Sequence, residues 1–180
     1  MRARILLLGL ISLVIFSACK SDQAVPASEG EINMSIQITS SAFQEGDTIP
    51  HIYTCDDRNV SPPLSWTGVP QGSISLVLIM DDPDAPSGTF DHWILFNLSP
   101  IIKGLSQDNH NVGVEGKNSF GRVGYGGPCP PRGSNHRYYL RLYALDTEVV
   151  LKAGASKAQV ERAMQGHILA QGQLMARYGR

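Results

Sequence analysis

The sequence predicts a mainly β domain carrying one short helix. Three runs point that way. Residues 74–80 (ISLVLIM), 92–98 (HWILFNL) and 136–145 (HRYYLRLYAL) have strand length and are rich in β-branched or aromatic residues. Clusters of Gly, Pro, Asn, Asp and Ser separate them. A single stretch, opening at Ser156, has the spacing and capping residues of a helix.

The elements follow in order. Residues 34–40 (MSIQITS) alternate apolar and polar, as a half-buried strand does. Residues 45–50 (EGDTIP) form a turn cluster. Residues 61–66 contain Pro62 and Pro63, which lack the N–H a ladder needs, so this segment reads as an edge or irregular. Residues 74–80 are almost entirely apolar and read as a central strand covered on both faces. Residues 92–98 form the next strand, and residues 99–135 read as a long loop region. A strong strand follows at 136–145. Ser156 and Gln159 match a capping box, and a helix is expected over about 157–167, with Val160, Met164 and His167 on one face. Residues 168–177 (ILAQGQLMAR) alternate and close the domain as a strand. No internal repeat is visible.

Composition bounds the function. The 180 residues are 42% hydrophobic and 17% charged, which suits one packed domain and excludes a disordered or collagen-like chain. Lys and Arg total 15 against 16 Asp and Glu, a formal net charge of −1. A general nucleic-acid binder needs a basic surplus, so nucleic acid is not an expected partner.

The N-terminus reads as a targeting segment. Arg2 and Arg4 precede an apolar stretch, residues 5–16, too short to span a bilayer. Ser17 and Ala18 then precede Cys19, and Phe16-Ser-Ala-Cys19 resembles a bacterial lipobox. That resemblance implies a signal peptide over 1–18 and a lipidated Cys19 that holds the protein to a membrane. Ordinary secretory cleavage with Cys19 as a bystander, and an uncleaved anchor, are the other readings. Lys20 stands where Asp marks inner-membrane retention in such lipoproteins, which points to the outer membrane, facing the periplasm. Residues 19–33 are read as the lipidated Cys and a flexible tether, and 34–180 as the domain.

If Cys19 carries lipid, Cys55 and Cys129 remain in an exported chain. An even remainder outside the cytoplasm suggests a disulfide, worth roughly 4 kcal/mol for so long a loop. Two free thiols are the alternative. Metal binding fits poorly, because no CxxC pair or close Cys/His spacing is present.

Two segments carry chemistry. The first is Asp81-Asp-Pro-Asp-Ala-Pro-Ser-Gly88, followed by Asp91-His-Trp93. Pro83 and Pro86 stiffen a loop that begins where a buried strand ends, and a stiff loop holds a carboxylate in place. A plain polar turn is the bland reading. The second runs from Gly121 through Gly126, Pro130 and Pro131 to Tyr138. Its glycines let backbone N–H groups approach a ligand. His136 and Tyr138 lie two apart on a strand and so share a face, with Arg137 on the other. His51, His110 and His167 are read as structural or capping residues, and Trp66 and Trp93 as core aromatics.

These pieces resemble the phosphatidylethanolamine-binding protein family, also called Raf-kinase-inhibitor-like proteins, in its bacterial and archaeal branch. The motifs are Tyr53-Thr-Cys-Asp56, Val60-Ser-Pro-Pro-Leu-Ser-Trp66, Asp82-Pro-Asp-Ala-Pro86, His92-Trp93, Phe120-Gly-Arg-Val-Gly-Tyr-Gly-Gly-Pro-Cys-Pro-Pro131 and His136-Arg-Tyr138. The segments Gly166-His-Ile-Leu-Ala170 and Tyr178-Gly-Arg180 also fit, so the likeness covers the chain from about residue 35 onward. The resemblance implies a β-sandwich with one or two short helices and a small anion pocket lined by Asp82, His92, His136 and Tyr138, with Gly126, Pro130 and Pro131 from the loop. It implies a non-catalytic module that binds a phosphate-like or phospholipid-head-group-like ligand, with a protein partner in the envelope a further expectation.

Asp82 at an anion site has two physical accounts. It can orient an imidazole and favour its protonation, so that the ring gives phosphate a charge-assisted bond beside the Tyr138 hydroxyl. Alternatively it meets a ligand ammonium. On the first account, phosphate-type ligands bind more weakly as pH rises through the histidine titration. Competing functions are inhibition of an extracytoplasmic protease or kinase-like partner, and hydrolysis using Asp82, His92 and His136, with or without a metal. The sequence holds no HExxH, GxSxG or glycine-rich nucleotide fingerprint, so neither cofactor nor metal nor catalytic residue is expected.

Overall fold

The structure, a computed structural model, describes residues 36–180. The signal segment, Cys19, the tether and the start of the first expected strand at Met34 lie outside the described residues.

Among the described residues, eight strands form two antiparallel sheets. A three-stranded sheet has the order β1 (Gln37–Thr39), β2 (Leu64–Thr67), β5 (Gly104–Leu105). A five-stranded sheet has the order β6 (Val114–Glu115), β4 (Phe90–Leu98), β3 (Ser75–Asp82), β7 (Asn135–Leu145), β8 (Ile168–Gly179). One helix, α1 (Lys157–Met164), and a 3-10 turn at His51–Tyr53 complete the fold.

β3 explains the layering. Every residue in it is buried. Leu76, Leu78 and Met80 face the small sheet, where they meet Ile38, Leu64, Trp66 and Leu105. Val77 and Ile79 face the other way, onto Val149, Val160 and Met164 of the helical side. A strand apolar on both faces can sit only between two layers. Its neighbour β4 repeats the pattern through Trp93–Phe96, whereas β7 alternates buried residues with half-buried ones that include Arg137 and Arg141. Each buried Leu or Ile contributes about 1.5–3 kcal/mol. The expected β-sandwich is therefore present, with α1 on its outer face.

The structure moves several boundaries. Residues 61–66 are not an edge: β2 is the middle strand of its sheet, bonded to β1 and β5. Pro62 and Pro63 precede it, so the ladder loses no donor. The expected loop over 99–135 contains β5 and β6, two residues each, too short for any periodicity to reveal. The capping box at Ser156 and Gln159 forms with both of its bonds. The helix ends at Met164, before Gly166 at φ +79°, so His167 leaves the apolar face and its Nδ1 lies 2.8 Å from Asp146 Oδ1. Cys55 and Cys129 are bonded, joining residues 74 positions apart.

Candidate ligand-binding site

Consecutive aspartates at the end of β3 point to opposite faces. Asp81 belongs to the helical face, where it accepts bonds from Arg141 and from Lys157 Nζ, the latter at 2.6 Å. That pairing ties α1 to the sheet. Asp82 belongs to the face of the main core, at its open end.

Asp82 Oδ2 accepts the Nδ1–H of His136 at 2.7 Å, and its Oδ1 accepts the backbone N–H of Asp84 at 2.8 Å. Both side chains of the Asp82–His136 pair are nearly buried. Asp84 in turn receives the backbone N–H, Nε and Nη2 of Arg137 at 2.9, 2.9 and 2.6 Å. That forked grip fixes the proline loop and holds the Asp84 carboxyl down at about 2. His136 and Arg137 thus take opposite faces of β7, as strand alternation requires.

His92, on β4, is held by Gly126. Its Nδ1–H donates to Gly126 O at 2.7 Å, and Gly126 N–H donates to His92 O at 2.9 Å. Burial pushes the imidazole pKa down, against the opposing pull of the Gly126 carbonyl and the Asp82 charge. In both histidines Nδ1 is committed, which leaves Nε2 for a ligand.

Tyr138 is fully buried beneath these groups, its ring 5.2 Å from that of His92. Its hydroxyl makes no hydrogen bond of full geometry, although the Asp82 carboxylate lies close enough to act on it. Burial, and then the nearby Asp82 charge, push its ionisation upward, so it stays a neutral donor.

These groups meet in a cavity of about 300 Å³. Asp82, His92 and His136 supply its polar wall, Ser87 its rim, and Ala85, Pro86, Phe90, Phe120, Cys129, Pro130 and Pro131 an apolar collar. The structure therefore brings together Asp82, His92, His136, Pro130 and Pro131; Tyr138, expected to line the pocket, is instead buried outside its wall, packed against His92. Gly126 is placed differently from expectation. Its N–H and C=O are both used on His92, so it positions that ring rather than lining the cavity. Phe90 and Phe120 were missed. Phe90 lies two residues before His92, and strand alternation could have found it. Phe120 sits in a turn without periodic signal; its ring lies 4.7 Å from that of Phe90 and 5.5 Å from that of His92.

The arrangement offers two oriented nitrogens and a paired carboxylate inside an apolar mouth. Among the described residues no group of three or more His, Cys, Asp or Glu side chains is placed to hold a metal ion.

Known proteins share the sequence and the fold. The phosphatidylethanolamine-binding protein family model matches residues 39–179. The UPF0098 protein of Methanothermobacter thermautotrophicus is 48% identical over 151 residues, covering 81% of this chain and 99% of its own. The UPF0098 protein of Aquifex aeolicus is 47% identical over 152 residues, covering 81% and 89%. A crystal structure of a phosphatidylethanolamine-binding protein homologue from Chlamydia trachomatis is 43% identical, with a TM-score of 0.78 and coverage of 81% and 98%. That of Escherichia coli YbcL, a member of the mammalian family, is 30% identical, with a TM-score of 0.76 and coverage of 81% and 99%. With its β-sandwich and its matching motifs, this chain belongs to the phosphatidylethanolamine-binding protein family.

Proposed function

We propose that the protein is a non-catalytic binding module for a small phosphate-like or phospholipid-head-group-like ligand, held at the cell envelope by a lipid on Cys19. The observation that carries the reading is a cavity lined by two histidines, each locked at Nδ1 so that Nε2 is left for a ligand. The collar of Phe90, Phe120, Pro130 and Pro131 suits the carbon portion of an ester. The family's name supports the same ligand class.

Calorimetry with phosphoethanolamine tests it. Binding is expected for the native protein, with a roughly tenfold loss in Tyr138→Phe and a larger loss in His136→Gln. Undiminished affinity in both variants would overturn the assignment. The anchor is tested separately, by metabolic labelling with a fatty acid in the native protein and in Cys19→Ala.

Hydrolysis is the second reading, favoured by the Asp82–His136 pair with Ser87 on the same cavity. Turnover of phosphoester or carboxylic ester substrates that disappears in His136→Gln would establish it. An extracytoplasmic protein partner, such as a protease to be inhibited, is tested by pull-down from envelope extract with His136→Gln as control.

A further inference from the structure

We propose that the ligand site has a second, cationic subsite around Arg122, which takes an additional carboxylate of the same ligand, so that a carboxylate-bearing phosphate monoester is preferred. This rests on the phosphate-type reading above and narrows it.

The first cavity has no Lys or Arg in its wall, and its fixed charge is the Asp82 carboxylate paired to His136. With Nδ1–H already committed, an imidazole donates from Nε2 only when protonated, so the rings can serve one oxyanion group, and nothing there balances a second charge. A cationic side chain lies next door. A smaller cavity, about 130 Å³, shares Phe120 and Cys129 with the first. Arg122 supplies its cationic wall, beside the side chains of Asn59 and Asn118.

Arg122 is available. It forms none of the ion pairs found among the described residues, whereas Arg137, Arg141, Lys157 and Arg180 are all engaged by carboxylates. Its guanidinium lies over the Phe120 ring, 5.9 Å from the centroid. Phe120 is also 5.5 Å from the His92 ring, so the sum of those two distances is the most that can separate guanidinium from imidazole. A small diacid can bridge the two groups across the ring.

The backbone carrying Arg122 is fixed. Its N–H donates to Asn118 Oδ1 at 3.1 Å, Asn118 N–H donates to Arg122 O at 2.8 Å, and Asn118 Nδ2 donates to Gly124 O at 2.9 Å. No acidic side chain lines the cavity that holds Arg122; Glu115, on β6, borders a different cavity with Val123 and Gly124. A ligand carboxylate would therefore meet Arg122 without a competing charge on its wall.

Calorimetry with two probes differing only in the carboxylate tests the subsite: phosphoethanolamine and O-phosphoserine. The native protein is expected to bind O-phosphoserine about fivefold more tightly, the size of one partly exposed charge pair. In Arg122→Gln that ratio falls to about one, and Arg122→Lys restores part of it. Equal affinities in the native protein, or a preference that survives Arg122→Gln at an unchanged melting temperature, would overturn the subsite alone. If neither probe binds, or if His136→Gln leaves both affinities unaltered, the phosphate reading of the main cavity falls, and the subsite with it.

Discussion

His136 Nδ1 stands 2.7 Å from Asp82 Oδ2, although 54 positions separate the two residues. The pairing of β3 with β7 brings them together, running from Ser75 opposite Leu145 to Asp81 opposite Tyr139. Next beyond that ladder come Asp82 and Tyr138, so one strand pair delivers the carboxylate, the phenol and one imidazole.

The pair is an asset only while intact. Its side chains are 8% and 4% exposed, so removing one partner strands a polar or charged group away from water. His136→Ala is expected to cost about 3–5 kcal/mol of stability. The double variant with Asp82→Ala should lose clearly less than the two single losses added together, because the second change removes the stranded charge. Urea unfolding of the four proteins measures the coupling; strict additivity would show that the contact carries no energy of its own.

His92 should titrate below 6.5 in the folded protein, since burial disfavours its charged form. A depressed histidine pKa favours the unfolded chain once protons bind there. The stability this ring contributes is therefore complete above about 6.5 and shrinks as pH falls through the folded value. Proton NMR of the His92 ring across about pH 4–8 reads the midpoint directly. Nitrogen shifts of the neutral ring should report the proton on Nδ1, as the Gly126 carbonyl requires.

Asp84 makes the opposite kind of contribution. Arg137 holds its carboxyl at about 2, down from 3.8. A depressed acid stabilises the fold above its unfolded value, and that stability is lost as pH falls from 3.8 toward 2. Urea midpoints measured down this range should drop more steeply in the native protein than in Asp84→Asn. Because Arg137 is 42% exposed, salt should weaken the difference.

The fold was legible where periodicity was long. β3, β4, β7 and β8 each run eight residues or more, and their apolar patterns stand clear in the sequence. β5 and β6, at two residues, carry no pattern at all. Site residues on strands were legible for the same reason: alternation puts His136 and Tyr138 on one face. The loop side was not. Gly126 reads in sequence as a donor for ligand, whereas its two backbone groups close on His92. That pairing depends on a chain reversal between residues 92 and 126 that no local signal encodes.

The Cys55–Cys129 bond should govern the cavity wall as well as stability. Residues 128–131 contain three prolines, which have no N–H to donate. On one side the wall is tied by Cys55 N–H to Pro128 O at 3.1 Å, and on the other by Ser134, whose N–H and hydroxyl reach Pro131 O at 3.2 and 2.7 Å. Between those ties Cys129 is fixed through its sulfur, over which Arg180 Nη1 lies 3.3 Å away and 3.0 Å from Cys55 Sγ. Replacing both cysteines by serine should lower stability by about 4 kcal/mol, the chain-entropy value for a loop of this length. It should also weaken phosphoethanolamine binding at temperatures where the protein remains folded, because Cys129, Pro130 and Pro131 form one side of the collar. Adding a dithiol reductant to the native protein should reproduce both losses. With Cys19 replaced by serine as well as in its native form, the denatured, unreduced protein should show no thiol at positions 55 and 129. A fall in melting temperature with unchanged affinity would mean that the sulfur bond staples the chain while Pro128 and Pro131 hold the wall unaided.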